Sequence, residues 1–306
     1  MRRLVSLVAV LVVVPGTAAF AAELDELLEQ GQEASYSAEQ VISCATPDGM
    51  RDALVRIEQV GGELQLTSSV SGDVEVTAGA GGWTITSDEG LLAQATVERG
   101  DPADDELYVV EEEGAVEYLG RVAMAYLLVR DGEPRAELTI DDETGVVVEA
   151  VTLTLDTEVY CERRFVSLDT ETPEIDKKSG GGVGDPPTPV ETSSLPESVS
   201  GFELLDQYED ESGVRFAYYS DGFFSFALFE TPSAVAVPEA TPVELESGDY
   251  LRVFTAGQVT YVWETRDSGM ALVGDLPPDL HQAVLAEMPR PEDPGLFRRW
   301  WRALFG

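Results

Sequence analysis

The sequence predicts an α+β protein that is mostly antiparallel β, arranged in two domains. Three observations predict it. From Ser35 to Asp169 the chain runs in short strand-length segments separated by turn signals, with no long segment of helical period. Asp131-Gly132 sits between apolar-rich runs and is a strong hairpin cue, so strands consecutive in sequence should pair antiparallel. A Gly/Pro-rich stretch then divides a chain of 306 residues, which is long enough for about two domains.

The elements follow in order. Arg2 and Arg3 precede an apolar run of 11 residues, Leu4–Val14, ended by Pro15-Gly16 and followed by the small-x-small triplet Ala19-Phe20-Ala21. The run is well short of the roughly 20 residues that span a bilayer. Residues 1–21 therefore read as a secretory signal peptide, and the protein as extracytoplasmic. Glu23–Glu33 reads as a short helix, with Leu24, Leu27 and Leu28 on one face. A first domain, 23–169, should hold strands at Tyr36–Ala45, Asp52–Gln59, Glu63–Ser69, Asp73–Thr77, Gly82–Thr86, Leu107–Glu111, Tyr118–Arg130 and Glu158–Leu168. Gly61-Gly62, Gly79–Gly81, Asp88–Gly90 and Asp142–Gly145 mark the turns between them. Residues 170–197, with Lys177-Lys178, Ser179–Gly182, Pro186-Pro187 and Pro189, read as a linker that sustains no packed element. A second domain, 198–290, should hold strands at Val214–Ser220, Phe223–Glu230, Asp249–Thr255, Val259–Thr265 and Met270–Gly274. Pro277-Pro278 then starts a helix, Asp279–Glu287, with Leu280, Val284 and Leu285 on one face.

Composition excludes several functions. With 19 basic against 58 acidic residues the formal net charge is −39, which repels phosphates and argues against nucleic acid as a partner. One histidine, His281, and two cysteines, Cys44 and Cys161, leave too few ligands for a Cys/His metal centre and no second histidine for a catalytic triad. His281 reads as a helix-surface residue, with no serine or cysteine at motif spacing. The acidic runs Asp104–Glu106 and Glu111–Glu113 read as solvated loops rather than acid/base pairs. Asp141, Asp142 and Glu143 lack the spacing of a calcium-binding EF-hand loop and read as a tight turn closed by Thr144-Gly145. No catalytic, cofactor or metal residue is assigned, and the chain reads as a non-enzyme.

Export permits a disulfide. A bridge from Cys44 to Cys161 would tie the first strand of a sheet to its last, worth at most about 5 kcal/mol in the chain-entropy model. The alternative is two buried thiols that never meet.

The aromatic cluster Tyr218, Tyr219, Phe223, Phe224, Phe226 and Phe229 cannot share one strand face. One set should form core, and the other is either contact surface for a partner or covered by the small domain itself. The C-terminal residues 291–306 form an amphipathic tail. On a helix, Leu296, Phe297, Trp300, Trp301 and Leu304 gather on one side and Arg298, Arg299 and Arg302 on the other, the pattern of a helix lying on a membrane surface. The other reading is a tail packed on the protein's own acidic surface or simply disordered.

The segment Tyr219-Ser220-Asp221-Gly222-Phe223-Phe224-Ser225-Phe226 resembles the YSDGLFSFS hairpin of the MucB/RseB family of sigma-E regulatory proteins. Val273-Gly274-Asp275-Leu276-Pro277-Pro278 resembles that family's VGELPP segment before its final helix. Gly120-Arg121, Asp131-Gly132 and Asp141–Gly145 resemble the family's order of GR, a DG hairpin and D-x-x-TG, which the LolA/LolB lipoprotein carriers share. The resemblance implies a LolA-like half-open β-barrel domain followed by a small α+β domain that contacts a membrane-anchored anti-sigma factor. It implies partner binding through Tyr219, Asp221, Phe223 and Phe224, protection of the anti-sigma factor from proteolysis, and a lipid as candidate ligand. The alternative within the same resemblance is a lipid or lipoprotein carrier of the LolA/LolB type. Two departures stand out: the chain is acidic throughout, and Val146–Val148 replaces a leucine-rich run.

Overall fold

A computed structural model describes residues 22–292 apart from 48, 62, 69–73, 80–81, 88–89, 96–106, 174–187, 190–194, 210–212, 233–239, 256–257, 267 and 275. The expected signal peptide and the amphipathic tail, with Arg298, Arg299, Trp300, Trp301 and Arg302, lie outside the described residues.

The chain opens with helix α1 (Ala22–Glu33) and continues as β1 (Tyr36–Thr46), β2 (Gly49–Val60), β3 (Glu63–Ser68), β4 (Val74–Gly79), β5 (Gly82–Ser87) and β6 (Gly90–Ala95). A second run follows: β7 (Val109–Tyr118), β8 (Arg121–Arg130), β9 (Glu133–Asp141), β10 (Val147–Leu153) and β11 (Val159–Asp169). These form one open, 11-stranded sheet in the order β6-β5-β4-β3-β2-β1-β11-β10-β9-β8-β7. It consists of two antiparallel meanders joined where the first strand pairs with the last, which leaves β6 and β7 as its open edges.

Alternation places Tyr36, Ala38, Ile42 and Cys44 of β1 on the buried face, beside Ala53, Val55 and Ile57 of β2. Helix α1 lays Leu24 and Leu28, one turn apart, into the same core. Its end is satisfied from the sheet: the Gln59 Nε2 donates to the carbonyls of Gly31 (2.8 Å), Gln32 (2.9 Å) and Ala34 (3.2 Å). Gly31 of the helix touches Gly145 so closely that neither position has room for a Cβ. Cys44 and Cys161 lie directly opposite in the β1–β11 register and are joined by a disulfide.

The Asp141–Gly145 turn forms as the sequence suggests. Asp141 Oδ1 accepts from the Thr144 amide (2.9 Å) and hydroxyl (2.6 Å), and Gly145 takes a positive φ of 71°. Arg121 grips the same carboxylate through Nε (2.6 Å) and Nη2 (3.0 Å). Burial would raise the Asp141 pKa, but hydrogen bonds from Arg121 and Thr144 outweigh it and hold the carboxyl below its ordinary value.

The second sheet comprises β12 (Thr188–Pro189), β13 (Ser198–Val199), β14 (Phe202–Glu209), β15 (Arg215–Ser220), β16 (Ser225–Thr231), β17 (Thr241–Leu245), β18 (Gly248–Thr255), β19 (Gln258–Glu264) and β20 (Gly269–Gly274), followed by helix α2 (Pro278–Glu287). Its order is β12-β14-β15-β16-β20-β19-β18-β17, with β13 paired to β14. Phe202, Tyr219, Phe226, Leu228, Met270 and Leu272 form its core with Val284 and Leu285 of α2.

Four expectations are corrected. Glu111–Glu113 is not a loop: it lies in β7, an edge strand whose exposed side leaves carboxylates in water. Tyr118–Arg130 is not one strand, because Leu119 (φ 50°) and Gly120 (φ 75°) turn the chain between β7 and β8. The expected linker carries the two-residue strand β12, which pairs with Tyr208 and Glu209 of β14. His281 is not on the helix surface. It joins Val284, Leu285 and Met288 in an i, i+3, i+4, i+7 stripe and is 1% exposed. Burial drives its pKa down to about 3.

Candidate functional site: the Asp221 hairpin and the seam between the sheets

The segment Ser220–Phe224 joins β15 to β16 and owes its shape to local side-chain chemistry. Asp221 Oδ1 accepts from the amides of Phe223 (3.1 Å) and Phe224 (2.7 Å), closing an Asx turn. Ser220 Oγ accepts from the Gly222 amide (3.0 Å) and donates to the Phe224 carbonyl (3.1 Å). Gly222 supplies the positive φ of 95° that the reversal needs.

The other carboxylate oxygen of Asp221 faces the first sheet. Arg130, the last residue of β8, donates to Asp221 Oδ2 at 2.6 Å, and the Tyr108 hydroxyl donates to the same atom at 2.7 Å. Arg130 also donates to the Ser200 carbonyl (3.2 Å), and its guanidinium lies 5.9 Å from the centres of the Tyr108 and Phe202 rings. Tyr108 meets Phe223 edge-on at 5.9 Å. A second pair crosses the seam five residues further on, where Arg135 Nη2 of β9 meets Asp279 Oδ2 in the first turn of α2 at 2.8 Å. One hairpin of the first sheet thus reaches two carboxylates beside the second sheet.

Electrostatics match this geometry. Burial pushes the Asp221 pKa up, and the Tyr108 hydroxyl, Arg130 and the two amides oppose that rise. Burial also raises Tyr108 well above the ordinary phenol value, and Asp221 adds to it. Desolvation disfavours the Arg130 cation, but Tyr108 and Asp221 outweigh it and leave its pKa raised. Four donors occupy the Asp221 carboxylate, so it has little capacity left to take a substrate proton. Among the described residues no group of three or more His, Cys, Asp or Glu side chains is placed to hold a metal ion.

The structure brings together the residues singled out in the sequence, but not as an open surface. Tyr219, Asp221, Phe223 and Phe224 are each at most 5% exposed. Tyr219 stacks on Phe226 at 4.8 Å and donates its hydroxyl to the Pro196 carbonyl at 3.0 Å, and Phe224 meets Phe223 edge-on at 4.8 Å. Of the two readings open for the cluster, cover by the chain itself holds for Tyr219, Phe223, Phe224 and Phe226, while Tyr218 and Phe229 are half-buried. Strand β16 lies inside the sheet between β15 and β20, and residues Ser225–Leu228 are buried on both faces. The side of the hairpin that leaves the sheet is covered by Tyr108 and Arg130 of the same chain. Sequence reasoning missed Tyr108, Arg130, Arg135 and Asp279. The available signal was scarcity: two of only 19 basic residues flank the Asp131-Gly132 turn.

No family model matches the chain, and no curated protein sequence matches it. Solved structures do. The complex of MucA and MucB from Pseudomonas aeruginosa aligns at 19% identity and a TM-score of 0.56, over 89% of this chain and 100% of that one. A crystal structure of MucB with MucA(peri) aligns at 18% identity and a TM-score of 0.53, over 88% of this chain and 98% of that one. MucB alone aligns at 17% identity and a TM-score of 0.55, over 87% of this chain and 98% of that one. With both sheets inside the aligned region, the chain has the fold of these MucB structures.

Proposed function

We propose that the protein is an extracytoplasmic, non-enzymatic regulator that binds the exported segment of a membrane-anchored anti-sigma factor and shields it from proteolysis. One observation carries this reading: the structural likeness runs through both sheets to MucB, and two of the matched MucB structures were solved with MucA. The motif resemblance at 219–226 and 273–278 points the same way. A carrier using the first sheet alone would leave the second sheet, and its two ion pairs across the seam, without a role.

In this reading Tyr219, Asp221, Phe223 and Phe224 act indirectly. They hold the two sheets in the orientation that the partner meets. A lipid would release the partner only by binding the free form better than the complex. The 291–306 tail, on its sequence pattern, keeps the protein at the membrane surface.

The test is capture from detergent-solubilised membranes of the source organism, with mature full-length protein as bait. Retention of a single-span protein with a cytoplasmic sigma-binding domain is the expected result. Recovery of lipoproteins in its place would move the chain to the carrier class.

A further inference from the structure

Among the described residues the two sheets show four edge strands, and three of them are shorter than the fourth. Strand β12 has two residues and ends in Pro189, β17 has five and contains Pro242, and β6 has six. Proline at an edge removes a ladder donor and blocks strand addition. Strand β7 differs. It has ten residues without proline and, among the described residues, pairs only with β8, from Val109↔Val129 to Tyr118↔Arg121 with one irregularity between Glu112 and Gly114. Among the described residues no strand pairs with its other side, which leaves that row of backbone donors and acceptors open to strand addition.

The side chains of β7 say what this edge repels and what it accepts. Glu111, Glu112, Glu113 and Glu117 are all exposed. Their cross-strand neighbours in β8 include Leu127, Tyr126 and Val122, so β8 supplies no opposing cation. The nearest arginines of that strand are engaged elsewhere, Arg121 with Asp141 and Glu143, Arg130 with Asp221. Val109 (62% exposed) and Val116 (41%) flank the acidic run and offer apolar contacts along it. A second copy would set carboxylate against carboxylate, an arrangement that opposes pairing. A basic, extended segment satisfies backbone, charge and apolar positions together.

We propose that β7 is a docking edge that captures one extended, Lys/Arg-bearing segment of a partner protein as an additional strand. This rests on the proposed function for the partner's identity alone. Strand capture is tested with a defined peptide, so its failure leaves the partner reading standing.

The probe is a ten-residue peptide of alternating lysine and valine, added to the mature full-length chain at low salt. A control peptide of the same sequence carries backbone N-methyl groups at alternate residues, which keep the charge and remove donors along one edge. Hydrogen exchange across the chain is the readout. The expected result is slowed exchange in residues 109–118 with the first peptide and none with the control. Reversing Glu111, Glu112 and Glu117 to Lys should weaken binding at least about tenfold, because like charges would then face each other. These exposed substitutions leave the core intact, and unchanged exchange elsewhere verifies the fold. Equal protection by both peptides, protection centred on another strand, or affinity unmoved by the reversals each overturn the proposal. So does peptide-free dimerisation protecting β7, which would make a second copy the occupant.

Discussion

Arg130 and Asp221 meet at 2.6 Å across the seam between the two sheets, 91 residues apart in sequence, and the Asp221 side chain is fully shielded from solvent. The pair fixes how the β8–β9 hairpin sits on the β15–β16 hairpin. It also makes the seam sensitive to loss of either partner, because a buried charge left alone is far costlier than a pair removed whole.

Arg130→Ala should therefore destabilise the protein by about 3–5 kcal/mol. The double variant Arg130→Ala/Asp221→Ala should cost less than the two single changes added together. Urea denaturation of all four proteins measures this coupling. Additive single effects would show that Arg130 does not neutralise Asp221.

The disulfide makes a second prediction. Cys44 and Cys161 are 117 residues apart and opposite in register. Intact-mass measurement of exported protein without reductant should show a chain lacking two hydrogens. Reduction, or Cys44→Ser with Cys161→Ser, should lower stability by up to about 5 kcal/mol. Alkylation of both cysteines in unreduced protein would show that the bridge does not form in the exported chain.

These two contacts differ in how far the sequence revealed them. The disulfide was readable because only two cysteines exist and both fall in strand-like segments. The Asp141–Gly145 turn and α2 were readable because Asx chemistry and a Pro-Pro start act within a few residues. The Arg130–Asp221 pair was not, since it depends on how two separately patterned sheets dock, and one-dimensional periodicity carries no such information. His281 lay between these cases. The stripe of 281, 284, 285 and 288 was visible at helical spacing, but a histidine within it reads as polar until the stripe is seen to be buried.

His281 makes the third prediction. Its folded pKa is about 3 against an ordinary value of 6.5, a shift set first by burial, while the Leu276 and Pro277 backbone partly opposes it. The unfolded chain thus binds a proton that the folded chain refuses between these values. The His281 contribution is complete above pH 6.5 and is lost as pH falls, by about 1.4 kcal/mol per pH unit once the unfolded chain is protonated. Titrating carboxylates overlap the lower part of the window, so the useful quantity is the stability of wild type minus that of His281→Phe, followed from pH 7 to pH 5. That difference should decline with falling pH. A difference independent of pH would mean that His281 is accessible to protons in the folded state.

The fourth prediction concerns the tail, outside the described residues, and rests on its sequence with the anchoring of the segment before it. The Trp263 Nε1 donates to the Pro289 carbonyl at 2.8 Å and the Glu292 amide to the Glu264 carbonyl at 2.9 Å, so residues 289–292 are fastened to β19 and the tail departs from a defined point. Trp300 and Trp301 suit the boundary between headgroups and acyl chains. On a helix Arg298, Arg299 and Arg302 would face the other way, and each basic residue near an anionic surface contributes about 1 kcal/mol. The body is repelled by the same surface, since the full sequence carries a formal net charge of −39 even with the tail's arginines counted. That repulsion decays within about 8 Å at physiological salt, so a tail can bind while the body stays clear. Confinement at the surface would raise the effective concentration of a membrane-anchored partner without any new contact. Co-sedimentation with anionic vesicles, comparing the mature chain with one ending at Pro294, should show binding only for the former, and weaker binding as salt rises. Equal partitioning of the two would remove the tail from membrane binding and leave its three arginines without a part in the mechanism.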